Sequence, residues 1–259
     1  GRIDGKTIFI DFAVPGDFLL VEICREKKNF AFARIREIIK PSPVREIPLC
    51  RNFSTCGGCS YQNVSYETEI SFKHKILTEL LVRITGLDPD VIPVIDIISD
   101  GRYKYRSHAS IKSDNKIKGF YQKESDQLIE LPPEGCLLLH DRLNEGIDSL
   151  DPALLGKDTK VAVDPDMNIV TDNGVAGIFV LENELGFNFR HDVTGFFQAN
   201  MLLRSRMIER VVEYAEPSLQ DSFMDICCGC GFFSIPLATR CLRGYCFDND
   251  RRSIMNAEY

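Results

Sequence analysis

No run of about 18 apolar residues occurs in the sequence, so no ordinary membrane-spanning helix is expected. The opening GRIDGKTIFIDF has no basic stretch leading into an apolar one, and no export signal is expected from it. Without export, the ten cysteines are expected in a reducing cytoplasm. There, clustered thiols serve metals or catalysis rather than disulfides. An overall excess of positive charge is also missing. The 31 Lys and Arg face 38 Asp and Glu, a net charge of −7, which disfavours a general polyanion binder. Internal repeats and low-complexity tracts are absent. The four histidines form no His-x-x-His or Cys–His pairing and receive no role.

What is present is unevenly distributed. The 259 residues, 44% of them hydrophobic, allow one large domain or two to three smaller ones. Residues 1–130 hold 20 basic and 18 acidic side chains, whereas residues 131–259 hold 11 and 20. A nucleic-acid surface is therefore expected in the first half. KTIFIDF, a Pro15-Gly16 turn, FLLVEI and FAFARIREI read as short strands, with Phe30, Phe32 and Arg34 on one face and Ala31, Ala33 and Ile35 on the other. Short strands with close turns predict a small β-barrel. PSPVREIP, with three prolines, reads as a linker.

CRNFSTCGGCS places Cys50, Cys56 and Cys59 in a C-x5-C-x2-C pattern, one thiol short of a closed metal site. After it, Ser65 is a plausible N-cap, Ile70, Ile76, Leu77, Leu80, Leu81 and Ile84 recur at helical spacing, and Gly86 and Pro89 end the run. Residues 102–131 read as a β-meander. Arg102, Lys104, Arg106, Lys112, Lys116, Lys118 and Lys123 face a single acid, Asp114, between 102 and 123, and Tyr103, Tyr105, Phe120 and Tyr121 are interleaved. Such a mixture suits phosphate contact with base stacking; a solvated sheet face is the competing reading.

Residues 151–190 read as further short strands. FFQANMLLRSRMIERVVEYAEP then predicts an amphipathic helix from 196 to Pro217. Strand FMDI, loop DICCGCG, helix FFSIPLATRC, strand GYCFD and a helix opening at NDRRSIM begin a parallel α/β sheet. Gly229 and Gly231 let a ligand approach the backbone. Asp248, 17 residues past Gly231, can accept ribose hydroxyls. The third glycine of a pyrophosphate fingerprint and the Gly-Lys-Ser/Thr of a P-loop are missing. A nucleoside cofactor without phosphates fits better, S-adenosylmethionine being the common one. A plain strand–turn–helix is the alternative. Cys227, Cys228 and Cys230 are too tightly bound to that turn to converge on one ion and read as small turn residues. Cys24, Cys241 and Cys246 read as small apolar side chains.

Taken together, CRNFSTCGGCSYQN, GFFQAN and DICCGCGFFSIPLA resemble the cysteine, Phe-x-Gln-x-Asn and glycine-loop motifs of the RNA (uracil-5-)-methyltransferases of the TrmA/RlmD type, in the right order and over essentially the whole chain. The N-terminal strands look like a TRAM domain, a small RNA-binding barrel. The resemblance implies a fold of α/β plus β: a TRAM- or OB-like barrel at 1–45, a central β-rich iron–sulfur and RNA-binding domain at 46–61 and 93–190, and a Rossmann-like methyltransferase domain begun by 62–92 and 191–259. It also implies that Cys136 is the fourth ligand, so that Cys50, Cys56, Cys59 and Cys136 hold a [4Fe–4S] cluster; four thiolates would equally suit zinc. Gln198, Cys227, Gly229, Gly231, Phe232 and Asp248 then correspond to the S-adenosylmethionine contacts. Phe232 departs from the small polar residue usual there, which leaves that position a backbone contact at most.

The resemblance further implies the chemistry. A cysteine thiolate adds to uracil C6, C5 takes the methyl group, a carboxylate removes the C5 proton, and the thiolate leaves. No Ser-Cys-Asn-Pro-like motif occurs here, so the nucleophile and the base are expected beyond Tyr259, and the chain alone is expected to be inactive. The expected partner is RNA carrying a looped or flipped uridine, in rRNA rather than tRNA, bound by a cytoplasmic monomer with no membrane attachment. The alternative is a non-catalytic RNA-binding protein with an iron–sulfur or zinc module.

Overall fold

The structure, a computed structural model, describes residues 1–93, 95–172 and 177–258. Residues 173–176, within the expected run of short strands, lie outside the described residues, as do Val94 and Tyr259. The chain divides into two compact units, Gly1–Ile97 with Gln122–Ser125, and Ile98–Tyr121 with Asp126–Tyr259. No helix among the described residues is long and apolar enough to cross a membrane.

The first unit holds strands β1 (Arg2–Ile3), β2 (Lys6–Ile10), β3 (Phe18–Glu26) and β4 (Phe30–Lys40) in the order β1-β2-β4-β3. The alternation read from FAFARI holds, since Ala31 and Ala33 are buried while Phe32 and Arg34 are exposed. Three register shifts along β3 against β4 bend the sheet. Closing it into a barrel would require β1 and β3 to pair, and they sit at opposite edges of the described sheet. The expected barrel is therefore a half-barrel. The proline stretch after β4 is not a loose linker, because Arg45 bridges Val64 and binds Asp17. Helix α1 (Tyr66–Thr85) follows the cysteine loop with the expected ends: the Thr68 amide donates to Ser65 Oγ at 3.1 Å, and Gly86 closes the helix in the left-handed region. Its apolar positions Ile76, Leu77 and Ile84 stay exposed.

The second unit is built on β5 (His108–Ser113), β6 (Lys118–Tyr121), β7 (Leu128–Glu130), α2 (Asp141–Ser149), β8 (Asp158–Val163) and β9 (Ile169–Thr171). These strands form one antiparallel sheet in the order β7-β6-β5-β8-β9. Ile111, Leu143, Ile147 and Val161 are wholly buried between it and α2. A hairpin of β10 (Phe179–Glu184) and β11 (Phe187–Asp192) leads to α3 (Arg204–Ala215). The helix predicted from 196 thus starts eight residues late. Residues 199 and 201 are used otherwise: Ser107 N–H donates to the Ala199 carbonyl at 3.2 Å, and Met201 N–H to the Tyr105 carbonyl at 2.9 Å. Beyond α3, β12 (Ser222–Ile226), α4 (Ser234–Ala238), β13 (Arg243–Phe247) and α5 (Arg251–Ala257) complete the described elements. β12 and β13 pair in parallel across α4, which is the expected opening of an α/β sheet, although α4 is shorter than the predicted helix.

Candidate functional site

Between β12 and α4 the backbone makes a sharp turn. Cys227, Gly229 and Gly231 all have positive φ, at 68°, 57° and 85°. Only glycine adopts this region without strain, so Cys227 is held there by its surroundings. The Cys227 and Cys228 amides both donate to the Phe247 carbonyl, at 2.7 and 3.1 Å, which ties the turn to the end of β13. A Cβ added to Gly229 would meet nothing within 4 Å, so open space borders the turn at this residue. Across it, Asp248 Oδ2 accepts the Gly229 amide at 2.8 Å and Oδ1 accepts the Asp250 amide at 2.8 Å. These backbone N–H groups hold its carboxyl below the usual range. The carboxylate, with about four acceptor sites, keeps capacity for a further donor.

The turn's thiols differ in character. Cys227 is exposed, whereas Cys228 and Cys230 are buried. Burial pushes both buried thiols up to about 11, with Cys246, Asp225 and Asp248 adding to the effect at Cys228. A raised thiol is not an activated nucleophile at neutral pH. Cys24 and Cys246, read as small apolar side chains, are exposed.

Phe232, just past the turn, puts its ring into the core, 3% exposed. It meets Phe197 edge-on at 5.5 Å and Phe189 at 5.5 Å. This contact brings the glycine turn and the Phe-x-Gln-x-Asn segment, 35 residues apart in sequence, to one place. Next to Phe197, the Gln198 side-chain oxygen is buried without a hydrogen-bond partner. An open glycine turn, a fixed carboxylate and an unsatisfied buried amide oxygen fit a ligand with hydroxyl and N–H donors, as a nucleoside has. Arg204, which no sequence motif marks, is buried beside this segment.

The cysteine loop lies in the first unit. Gln62 spans it: its amide donates to Cys59 Sγ at 3.2 Å, and its oxygen accepts the Cys50 amide at 3.1 Å. Gly58 N–H donates to Cys56 Sγ at 3.4 Å. Burial pushes the Cys56 thiol up, and Cys50 beside it adds to the shift. N–H donors to sulfur are the chemistry that bound thiolates take. Among the described residues, however, no group of three or more His, Cys, Asp or Glu is gathered to hold a metal. Cys136 belongs to the second unit, where the Asn144 side chain brackets it, accepting from its N–H at 2.9 Å and donating to its carbonyl at 3.0 Å.

The basic meander is less open than its composition implies. Lys104 pairs with Asp141 at 2.8 Å, and Lys112 with Asp158 at 2.5 Å. Lys118 donates to the carbonyls of Asp148 and Leu150 at the end of α2. Arg106 has a buried Nε without a hydrogen-bond partner. Lys116 is exposed at the turn beside Asp114, and Arg102 is half-buried.

No family model matches the chain. Similar proteins include the 23S rRNA (uracil(1939)-C(5))-methyltransferase RlmD of Vibrio parahaemolyticus, 27% identical over 279 aligned positions that cover 91% of this chain and 63% of that protein. Its namesake from Mannheimia succiniciproducens is 28% identical, covering 92% and 64%. A protein of Aquifex aeolicus named an uncharacterized RNA methyltransferase is 27% identical, covering 100% and 70%. Among solved structures, the Pyrococcus abyssi tRNA (uracil-54, C5)-methyltransferase in complex with S-adenosyl-L-homocysteine superposes with a TM-score of 0.69. The match covers 98% of this chain and 71% of that one at 18% identity, and it shows a shared mixed α/β fold. The chain spans about 63% of the length of the first of these relatives. The resemblance carried by the cysteine, Phe-x-Gln-x-Asn and glycine-loop motifs is borne out: this chain is a homologue of proteins named as RNA uracil-C5 methyltransferases.

Proposed function

We propose that this chain supplies the RNA-recognition and cofactor-loop parts of an S-adenosylmethionine-dependent RNA uracil-C5 methyltransferase that acts on rRNA rather than tRNA. The observation that supports this reading is the Phe197–Phe232 contact, which packs the residue before Gln198 against the residue after Gly231. In this reading Asp248 accepts the ribose hydroxyls and the Gln198 oxygen accepts a ligand N–H. The backbone of Cys227, Gly229 and Gly231 lines the nucleoside, and Phe232 contributes its backbone alone. Residues 1–45 act as a TRAM-like module. Residues 46–61 and 93–190 carry the RNA surface, with Arg102, Lys104, Arg106, Lys112, Lys116 and Lys118 toward phosphates. Residues 62–92 and 191–259 belong to the methyltransferase part. The thiolate that adds to uracil C6 and the carboxylate that removes the C5 proton are assigned to none of these 259 residues, because none of the ten cysteines lies in a Ser-Cys-Asn-Pro-like motif.

Calorimetric titration with S-adenosylhomocysteine tests the cofactor half. Asp248→Ala should weaken binding by about tenfold or more, since two hydroxyl bonds to a carboxylate are lost. An unchanged affinity would overturn the assignment. With labelled S-adenosylmethionine and rRNA, the 259-residue polypeptide should transfer no methyl group, and transfer would overturn the inactive-portion reading.

Cys50, Cys56, Cys59 and Cys136 are proposed to hold a [4Fe–4S] cluster, which the N–H donors at Cys56 and Cys59 support. When bound, the cluster would organise the protein and not the methyl transfer, which needs no redox partner. Anaerobically purified protein should contain iron and acid-labile sulfide and lose both in Cys136→Ser. One zinc and no sulfide would overturn the assignment.

A further inference from the structure

We propose that Arg204 is a positioning residue that holds the Phe197 ring and the Gln198 carbonyl from inside the core and so aims the Gln198 side-chain amide at its ligand. The proposal rests on the cofactor reading above. Arg204 is the first residue of α3 and is 1% exposed, an unusual place for a guanidinium. Each of its nitrogens is used, and each in a different part of the unit. Nε donates to the Gln198 carbonyl at 2.8 Å, Nη2 to Ser107 Oγ at 2.5 Å, and Nη1 pairs with Glu182 at 2.9 Å on β10. The guanidinium carbon lies 4.6 Å from the Phe197 ring centroid. His191 stacks on the same ring at 4.5 Å, nearly parallel to it.

Phe197 and the Gln198 carbonyl are therefore held, while the Gln198 side-chain oxygen is left buried and without a partner. Burying a charge costs several kcal/mol unless its surroundings compensate. A merely structural contact at this place could be made by an apolar side chain. A planar fork that spans a carbonyl, a hydroxyl and a carboxylate is instead suited to fixing an orientation.

Arg204→Lys is the informative variant. It keeps a cation for Glu182 but has no Nε–H to give the Gln198 carbonyl. In titrations with S-adenosylhomocysteine, Arg204→Lys should bind about tenfold more weakly, equivalent to roughly 1.4 kcal/mol. Adding it to Gln198→Ala should cause no further loss, because positioning an absent amide has no effect. Wild-type affinity in Arg204→Lys, or losses that multiply in the double variant, would overturn the proposal. If the wild-type chain takes no S-adenosylhomocysteine, the cofactor reading falls and hydrogen exchange decides the positioning claim. The Met201 amide, held by the Tyr105 carbonyl, should exchange at least about tenfold faster in Arg204→Lys, with the amides within α3 unchanged. An unchanged Met201 rate would overturn it.

Discussion

Arg45 lies in a stretch bounded by Pro41 and Pro48 that composition marks as a linker, yet it anchors the first unit. Its Nε donates to Asp17 Oδ1 at 2.9 Å, and its Nη2 to Oδ2 at 2.5 Å and to the Phe12 carbonyl at 2.8 Å. The Val14 and Ser42 amides donate to the same carboxylate, whose side chain is 1% exposed. The Arg45 hydrogen bond, with the two amides, holds the Asp17 carboxyl at about 2, below the ordinary 3.8. A depressed folded pKa contributes stability that is present above the unfolded value and is lost as pH falls toward the folded one. The pair should therefore contribute about 2 kcal/mol at neutral pH. That contribution should fall away progressively below roughly pH 4, as pH drops toward and through the folded value. Urea unfolding of the wild type and of Asp17→Asn at pH 7 and pH 2.5 checks this, and the gap between them should narrow markedly at the lower pH. A gap of equal size at both pH values would show that the ionised carboxylate is not the stabilising form. The exposed pair Lys123–Asp11, at 2.6 Å, has the same chemistry but is solvated and should contribute far less.

Elements specified by adjacent residues were readable, and elements decided by distant partners were not. Helix α1 has its cap, its period and its terminal glycine in one stretch, and all three appear as read. The β12–turn–α4 unit was legible because glycine spacing is a local backbone requirement. The start of α3 was not, since Phe196–Leu203 carries helix-compatible apolar residues. What prevents a helix there is pairing of 199 and 201 with 107 and 105, over 90 residues earlier. The half-barrel has the same origin: each strand was legible, but whether two edges meet depends on the accumulated bulges along β3. Within the candidate site, motifs are what point to Gln198, Gly229, Gly231 and Asp248. Arg204 escaped, because a helical Arg reads as solvated until a Glu on β10 is known to face it. The basic meander was legible as a count of cations. The acids that occupy Lys104 and Lys112 come from 141 and 158, outside the counted window.

At the level of the whole chain, the two units differ in how much they bury. The main cluster of the first unit contains Ile8, Ala31 and Ala33, with Ile10 and Val21 only partly buried against it. Most side chains along β3 are exposed, among them Phe18, Leu20 and Ile23. The second unit has a cluster of Ala109, Ile111, Leu139, Leu143, Ile147, Leu155, Val161 and Val163, and two further clusters beside it. Each fully buried large aliphatic side chain contributes about 1.5–3 kcal/mol of transfer free energy. The first unit's cluster has one such side chain, whereas the second unit's largest cluster has seven. Ordering entropy offsets most of the gross difference, but it scales with residue number in both units and does not reverse the sign. The bulges along β3 weaken the first sheet further by interrupting its ladder. Native-state hydrogen exchange in rising urea should therefore release the amides of β3 and β4 before those of β5 and β8. Peptide-resolved mass spectrometry distinguishes the two sets, because they share no sequence. Release of β5 and β8 first, or of all four strands at one urea concentration, would mean that buried aliphatic content does not set the order of opening in this chain.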